Sequence, residues 1–345
     1  MSNADELVTV LFEAILGRQP DPDGLASWAA RVEEGVSASE LIAGLLASDE
    51  AVANAPFRRN FAAPQQRRLW ADSDLASATP DLLVTDIGAA PLDYEDDVYG
   101  ALLRTPGTRL TCFEPTPERA KAAAAKHPYA TVVESCVADG TARQFYETHA
   151  GVTSSLYPPN PRTTLDLLEV GEEMALAETY QIDTVRLDDV AAAAGSDFIK
   201  LDVQAAERDV LANAQNVLAA AVAVHTELEF FPLYNDQPLG WEVWRELDLA
   251  GYDLYWFHHL QPYRMRTLDN IPIGPPRRLG WGDAVFFPKP DNLFSLDVQR
   301  ALNLCAIWHD VYGARDHCLW LLEQHPDPEV RSHLGRYRDL AAPPH

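Results

Sequence analysis

The stretch 82–115, LLVTDIGAAPLDYEDDVYGALLRTPGTRLTCFEP, constrains the fold more than any other part of the chain. A short apolar run, Leu82 to Thr85, ends in Asp86-Ile87-Gly88-Ala89. A turn and a helix-compatible stretch follow. A second run, Arg109 to Phe113, ends in Glu114-Pro115. Short apolar runs bounded by turn residues read as buried strands. A strand, loop, helix and strand with an acid at each strand end is how a nucleotide-binding α/β sheet opens.

The alternation continues downstream. A helix is expected over Pro117 to Lys126, a strand over Ala130 to Val137 and a short added strand over Thr184 to Leu187. A strand over Asp197 to Asp202, a helix over Ala206 to Leu218, a strand over Ala221 to Phe230 and a helix over Trp241 to Ala250 follow. Tyr252 to Phe257 and Asp283 to Phe287 supply two more strands. This pattern predicts a doubly wound, mostly parallel sheet with helices on both faces. Its ligand crevice lies outside the carboxyl ends of the strands. Asp86, Glu114, Asp202 and Glu227 fall at or near such ends, so the fold gathers them.

The α/β domain is expected over 81–290, with a helical module over 1–55, a linker over 56–80 and a helical C-terminal cap over 291–345. In the first module Leu7, Leu11 and Ile15 recur at helical spacing. A turn over 19–24 separates that helix from a second, Leu25 to Glu34, which carries Trp28; a third is expected over Glu40 to Ala47. Asp21, Asp23 and Gly24 are too closely spaced for a calcium-binding EF-hand, so they read as a solvated turn. In the cap, Ala301, Cys305, Trp308 and Tyr312 share one helical face, which marks the aromatics as core. A further helix is expected over Asp316 to Glu323.

Net charge is −25, from 27 basic and 52 acidic residues. A nucleic-acid backbone would be repelled by such a chain, and the arginine pairs are short and scattered. No run approaches the roughly 18 apolar residues of a membrane span. The acidic N-terminus lacks the pattern of a signal peptide, so a cytoplasmic location is expected. None of the four cysteines forms a CxxC pair, which argues against zinc. Cys112 and Cys136 lie in strand-like runs, where a free thiol packs as a small apolar residue.

A dinucleotide fold needs three glycines, as G-x-G-x-x-G. Only Gly88 is present here, followed by Ala90, Pro91 and Leu92. Close approach to a pyrophosphate is poorly supported, which disfavours NAD. S-adenosylmethionine demands less: one tight turn, an acid near its ammonium and an acid for its ribose hydroxyls. Gly88, Asp86 and Glu114 supply these in turn. A carboxylate at the end of the second strand can accept two hydroxyl hydrogen bonds. Ala89, Pro115, Cys136 and Val137 are the further candidates for contact with the cofactor.

Several further stretches carry a resemblance: VTDIGAAPLDYEDDVYGALL, TCFEPTPE, VTSSLYPPNP, IDTVRLDDV, FIKLDVQAAERDVLANA, HTELEFFPLYNDQPLGWEV and WGDAVFF, in that order. Over roughly 80–290 the chain resembles the FkbM family of S-adenosylmethionine-dependent methyltransferases, a Rossmann-like class I fold. The helical tail resembles one found in part of that family. The resemblance implies methyl transfer, usually to oxygen, on a sugar, glycan or other small metabolite. The chain departs from most members at Ala90 and Leu92, which replace an asparagine and a second glycine, and at Ala205, where glycine is common. The N-terminal stretch LFEAILGRQPDPDGLASW, with Gly35 and LLASDE, resembles a small bacterial helical domain of unknown function, whose expected role is protein docking.

On the acceptor side, methyl transfer to a hydroxyl requires alignment and removal of a proton. His225, Glu227 and Glu229 share one face of their strand by period two. Glu227 and Asp202 are the leading catalytic candidates, with His225 third. Asp202 could hold a divalent ion that lowers an acceptor hydroxyl's pKa, but one acid is not a metal site, so a divalent metal is possible and not supported. Ser154, Ser155, Tyr157 and Asn160, with Glu229, are the candidate substrate contacts, because polar side chains ahead of a proline-stiffened stretch suit a binding loop. The rival reading is a non-catalytic scaffold whose altered 90–92 loop no longer takes the cofactor and whose helical ends dock proteins.

Overall fold

The computed structural model describes residues 4–5, 8, 12, 20–33, 36, 68–79, 81–91, 96–167, 171, 173–266 and 277–342. The chain divides into two compact units, 1–67 and 68–345.

In the first unit, helix α1 runs Pro22–Glu33. It starts ahead of the expected Leu25 because the acid-rich turn is its cap. The Asp21 carboxylate accepts the Gly24 N–H at 2.8 Å, and Pro22 takes the first helical position, where no N–H is needed. Trp28 meets Phe12 edge-on at 6.1 Å, beside the small core of Ala4, Val8, Phe12 and Ala29. Leu7, Leu11, Ile15 and the helix expected over 40–47 lie outside the described residues.

The second unit holds strands β1 Leu83–Ile87, β2 Arg109–Phe113, β3 Thr131–Val133, β4 Cys136–Val137, β5 Ala142–Thr148 and β6 Leu176–Val185. β7 Phe198–Leu201, β8 Ala223–Glu229, β9 Tyr252–Phe257, β10 Gln261–Tyr263 and β11 Arg278–Pro288 follow. Its helices are α2 Pro117–Lys126, α3 Pro161–Asp166, α4 Glu207–Ala212, α5 Gln215–Ala220, α6 Gly240–Leu249 and α7 Pro290–Leu293. The last are α8 Val298–Ile307, α9 Arg315–Gln324, α10 Pro328–Ser332 and α11 Leu334–Ala341. A π-helical turn, Trp308–Tyr312, continues α8 and stops at Gly313 in the left-handed region.

The main sheet runs β10-β11-β8-β7-β1-β2-β3, with β9 also paired to β11. Strands β3, β2, β1, β7 and β8 are parallel, and β11 is antiparallel to β8. The chain first builds outward from β1 to β3, then returns to the other side of β1 with β7. That reversal is the topological switch point, and a ligand crevice opens outside the carboxyl ends flanking it. The doubly wound, mostly parallel sheet expected from the sequence is present.

A second sheet, β4-β6-β5, accounts for two differences. The strand expected over 130–137 breaks at Glu134-Ser135, so β3 stays in the main sheet while β4 pairs with β6. The short strand expected at 184–187 is the end of the ten-residue β6, and Leu187 begins a short 3-10 turn instead. The expected helix over 206–218 is two helices, α4 and α5.

Side chains alternate across the main sheet. Val84, Cys112, Phe198, Val285 and Phe287 face one layer, where they join Trp70, Leu302, Cys305, Trp308 and Tyr312. Ile87, Phe113, Ile199, Val224 and Phe286 face the other, against residues of α4, α5 and α6. Helices expected to close the domain as a cap therefore form one of the two walls that bury its sheet. Asp197 ties them in, since its carboxylate accepts the Leu83 N–H at 2.9 Å and the Asn303 amide at 2.8 Å. All four cysteines are free and buried. No helix among the described residues is long and apolar enough to cross a membrane.

Residues 68–79, expected in the linker, are packed into this unit. The carboxylate of Asp310, in the π turn, accepts the N–H groups of Trp70 at 2.7 Å and Ala71 at 3.4 Å, and the Trp70 side chain is fully buried. Asp310→Ala would leave a buried N–H without a partner, at a cost of about 1–3 kcal/mol. Differential scanning calorimetry should show a melting temperature lower by roughly 3–10 °C. An unchanged melting point would mean that this strap contributes nothing to the unit.

Candidate active site

The alternation that makes an apolar wall below makes a charged layer above. Asp86 stands two residues beyond Val84, Glu114 beyond Cys112, Lys200 and Asp202 beyond Phe198, and Glu227 and Glu229 beyond His225. Asp283 pairs with Glu227 across β11 and β8. Asp86, Glu114, Lys200, Asp202 and Glu229 lie at or just beyond the carboxyl ends of the parallel strands, where the crevice lies, with Glu227 and Asp283 further along the sheet.

On the donor side, Gly88 has φ +83° and its N–H and that of Ala89 both reach the Phe113 carbonyl, at 3.0 and 3.1 Å. A β-carbon at Gly88 would lie 1.8 Å from the Asp202 carbonyl oxygen. Glycine is thus required where the ends of β1 and β7 touch. Asp86 was expected beside a ligand ammonium. Instead it accepts the Tyr99 hydroxyl at 2.6 Å and pairs with Lys200 at 3.6 Å, so an ammonium from the chain itself already faces it. Burial is the larger influence on Asp86 and pushes its pKa up despite Lys200. Glu114 is buried at the end of β2, with one oxygen accepting the Thr116 N–H at 3.0 Å. Burial raises its pKa, and the Thr116 contact only partly offsets this. Pro115 follows it. Cys136 and Val137 are buried, but in the second sheet and not in the strand that carries Glu114.

The acceptor side is an acid cluster on a strained turn. Gln204 and Ala205 have φ +55° and +79°, a region that favours glycine, which accounts for the glycine common at the second position. The Gln204 amide donates to Asp202 Oδ1 and to Glu227 Oε2, each at 2.9 Å. Tyr234 donates toward Gln204 Oε1 at 3.0 Å and the Thr153 carbonyl at 2.9 Å. Lys200 lies 3.4 Å from Asp202. Burial opposes ionisation of Asp202, but Lys200, the Gln204 amide and a hydrogen bond with Glu227 outweigh it and hold its pKa below the usual range. Burial, then the charges of Asp202 and Glu229, push Glu227 well above the usual range. The two shifts run in opposite directions, which favours charge on Asp202 over charge on Glu227. Burial alone would lower the Lys200 pKa, but the flanking carboxylates of Asp86 and Asp202 outweigh it and raise it above the usual lysine range, so the ammonium stays charged.

Other candidates are placed differently. His225 sits one layer below the acids, with Nδ1 3.1 Å from the Tyr312 hydroxyl and the two rings stacked. Burial, then His258 and Lys200, depress its pKa well below 6.5, so the ring is held neutral in the core against Tyr312. Asn160 is the N-cap of α3, accepting the N–H groups of Arg162 and Thr163 at 3.2 and 3.4 Å. Ser154 accepts the Thr148 N–H at 3.1 Å, and the Tyr157 hydroxyl donates to Asp209 at 2.9 Å. These three side chains are committed to local structure. Ser155 is buried and donates to the Gln204 carbonyl, so it supports the strained turn. Glu229 is buried beside the cluster and is likewise pushed well above the usual range by burial, then by Glu207.

Glu207, Gln204 and Tyr234 were not expected. Glu207 opens α4 and is fully buried, with one oxygen accepting the Val203 N–H at 2.8 Å. Burial outweighs that hydrogen bond and pushes it up to about 8. An acid whose pKa is raised in the folded state adds stability that is fully present below about pH 4.5 and is lost as pH rises through about 8. Melting curves in chelator should therefore fall from pH 6 to pH 9, and Glu207→Gln should flatten them by an amount equivalent to a few kcal/mol. Parallel curves for the two proteins would rule out a buried carboxyl at this position.

Residues 86–254 match the family model of the methyltransferase FkbM domain. The chain carries an FkbM methyltransferase domain. Residues 2–55 match a domain of unknown function, DUF4214. No curated protein matches the chain. Among solved structures, the chain is similar to a TehB-like S-adenosylmethionine-dependent methyltransferase from Corynebacterium glutamicum, at 13% identity and TM-score 0.31, over 78% of this chain and 100% of that one. It is also similar to a putative sarcosine dimethylglycine methyltransferase from Galdieria sulphuraria, at 11% identity and TM-score 0.30, over 83% and 98%. A putative methyltransferase from Thermobifida fusca matches at 13% identity and TM-score 0.30, over 82% and 94%. Those values carry no argument about the site. The FkbM domain is a Rossmann-like, S-adenosylmethionine-dependent methyltransferase fold, and the buried Glu114 carboxylate at the crevice is chemically suited to the hydroxyls of that cofactor.

Proposed function

We propose that the FkbM domain transfers a methyl group to a hydroxyl oxygen of a small, hydroxyl-rich acceptor, such as a sugar or glycan unit. The observation that carries this reading is the Asp202–Glu227 pair, bridged by the Gln204 amide on the strained Gln204-Ala205 turn. S-adenosylmethionine, when bound, supplies a methyl already activated by a positively charged sulfur.

The remaining work falls to the chain. Glu114 accepts hydrogen bonds from the donor's hydroxyls. Asp86 positions Lys200, and Lys200 keeps Asp202 ionised. Asp202 accepts the proton of the attacking hydroxyl, a contribution typical of general bases at about 10²–10⁴-fold. Gln204, Tyr234 and Ser155 fix the turn that carries Asp202. The carboxyls of Glu227 and Glu229 favour an acceptor with further hydroxyls to donate. The N-terminal module is assigned to protein docking, and a cytoplasmic location fits the composition.

The test is S-adenosylhomocysteine release with a panel of sugars and glycosides, followed on the full chain. Asp202→Asn should lower kcat by roughly 10²-fold or more while leaving S-adenosylhomocysteine affinity within a few-fold. Absence of S-adenosylhomocysteine binding at millimolar concentration would sink the enzyme reading in favour of a scaffold. A full rate in Asp202→Asn would remove the base assignment.

A further inference from the structure

The acceptor-side acids have a geometry that a proton-transfer role leaves unexplained. Carboxylate oxygens of Asp202, Glu207 and Glu227 all lie within 4.8 Å of one another. They come from the end of β7, the first residue of α4 and the middle of β8. A hard divalent ion holds oxygen ligands at about 2.3–2.6 Å for calcium and about 2.0–2.1 Å for magnesium, so ligands on opposite sides of one ion stand roughly 4–5 Å apart. The three carboxylates are already spaced to share one.

A separate observation points the same way. Glu207 is fully buried, and its Oε2 has no hydrogen-bond partner. Glu229 is 1% exposed, and its Oε2 has none either. Glu207 and Asp202 are among the charges that act on Glu229, which lies near the three grouped acids. The nearby ammonium, Lys200, is engaged with Asp86 and Asp202. Buried carboxylate oxygens without a donor are expensive, and they are usually found paired or on a metal.

We propose that Asp202, Glu207 and Glu227, with Glu229 nearby, bind one hard divalent cation of the magnesium, manganese or calcium class. All the ligand atoms are oxygens, which selects these ions over zinc or copper. This corrects the expectation that Asp202 stands alone, which was the reason for leaving a metal unsupported. The site stands on the geometry of the cluster, and its test does not depend on methyl transfer.

Manganese serves as the probe. Mn2+ titrated into the full chain and followed by electron paramagnetic resonance should show one saturating site per chain at submillimolar Kd, with Mg2+ and Ca2+ competing for it. Glu207→Gln and, separately, Glu227→Gln should each weaken uptake at least tenfold. Glu118→Gln, an exposed acid on α2, should leave it unchanged and so exclude diffuse binding to the acidic surface. S-adenosylhomocysteine calorimetry on every variant reports that the domain is folded. Uptake that never saturates near one equivalent, or that survives both cluster substitutions, overturns the proposal. If S-adenosylhomocysteine binds and Mn2+ does not, the cation site fails while the methyltransferase reading stands; the opposite result separates them the other way.

Discussion

Gly88→Ala is expected to cost the domain more than about 4 kcal/mol, the range reserved for severe single substitutions. Two effects add. A φ of +83° costs an alanine about 1–2 kcal/mol by itself. The new β-carbon would also stand 1.8 Å from the Asp202 carbonyl oxygen, a backbone atom that cannot swing away. The ends of β1 and β7 must separate, which displaces Lys200 and Asp202 together. Scanning calorimetry should register a melting temperature lower by roughly 10 °C or more. Any folded fraction should bind S-adenosylhomocysteine poorly. A drop under about 3 °C would show that the two strand ends part freely and that glycine is not required there.

Glu114→Ala should have the opposite profile, with a large loss of ligand affinity at little cost in stability. A carboxylate that accepts two hydroxyl hydrogen bonds contributes about 1.5–3 kcal/mol through each. Calorimetry should show S-adenosylhomocysteine binding weakened roughly 100-fold or more. Stability should hold at neutral pH, because burial of this carboxylate raises its pKa, and an acid shifted that way adds stability only at low pH and loses it as pH rises. Glu114→Gln keeps an acceptor for the Thr116 N–H and should fall between the two proteins. An affinity within twofold of the original in Glu114→Ala would reduce this residue to a strand end.

The central strands were legible because β1, β2, β7 and β8 are buried on both faces and so read as apolar runs. β6, with the sequence LAETYQIDTV, is exposed along most of its length, and its mixed polarity carries no such signal. Acids at or near the ends of those runs could be placed from alternation alone, which is how Glu114, Asp202, Glu227 and Glu229 became candidates. Glu207 escaped because an acid in a first helical turn usually answers the helix dipole in solvent. Its burial comes from packing around the Gln204-Ala205 turn, which no local pattern reports. Gln204 and Tyr234 carry no charge to attract notice. The partner of His225 was not legible, since Tyr312 lies 87 residues away in sequence. Asn160 was different, because Asn-Pro ahead of a helical stretch is a start signal that could have been read.

Two walls bury the main sheet, and they are made at different times. The wall of α4, α5 and α6 emerges from the ribosome together with the strands it covers. The opposite wall, including Leu302, Cys305, Trp308 and Leu322, is synthesised last. At about 5–20 residues per second, Val84 and Cys112 wait on the order of tens of seconds for that cover. During this interval one apolar face of a nascent sheet is open to solvent and to neighbouring chains. Production of this protein should therefore depend on chaperone capacity more than its final stability suggests, and a fragment ended near residue 290 should aggregate.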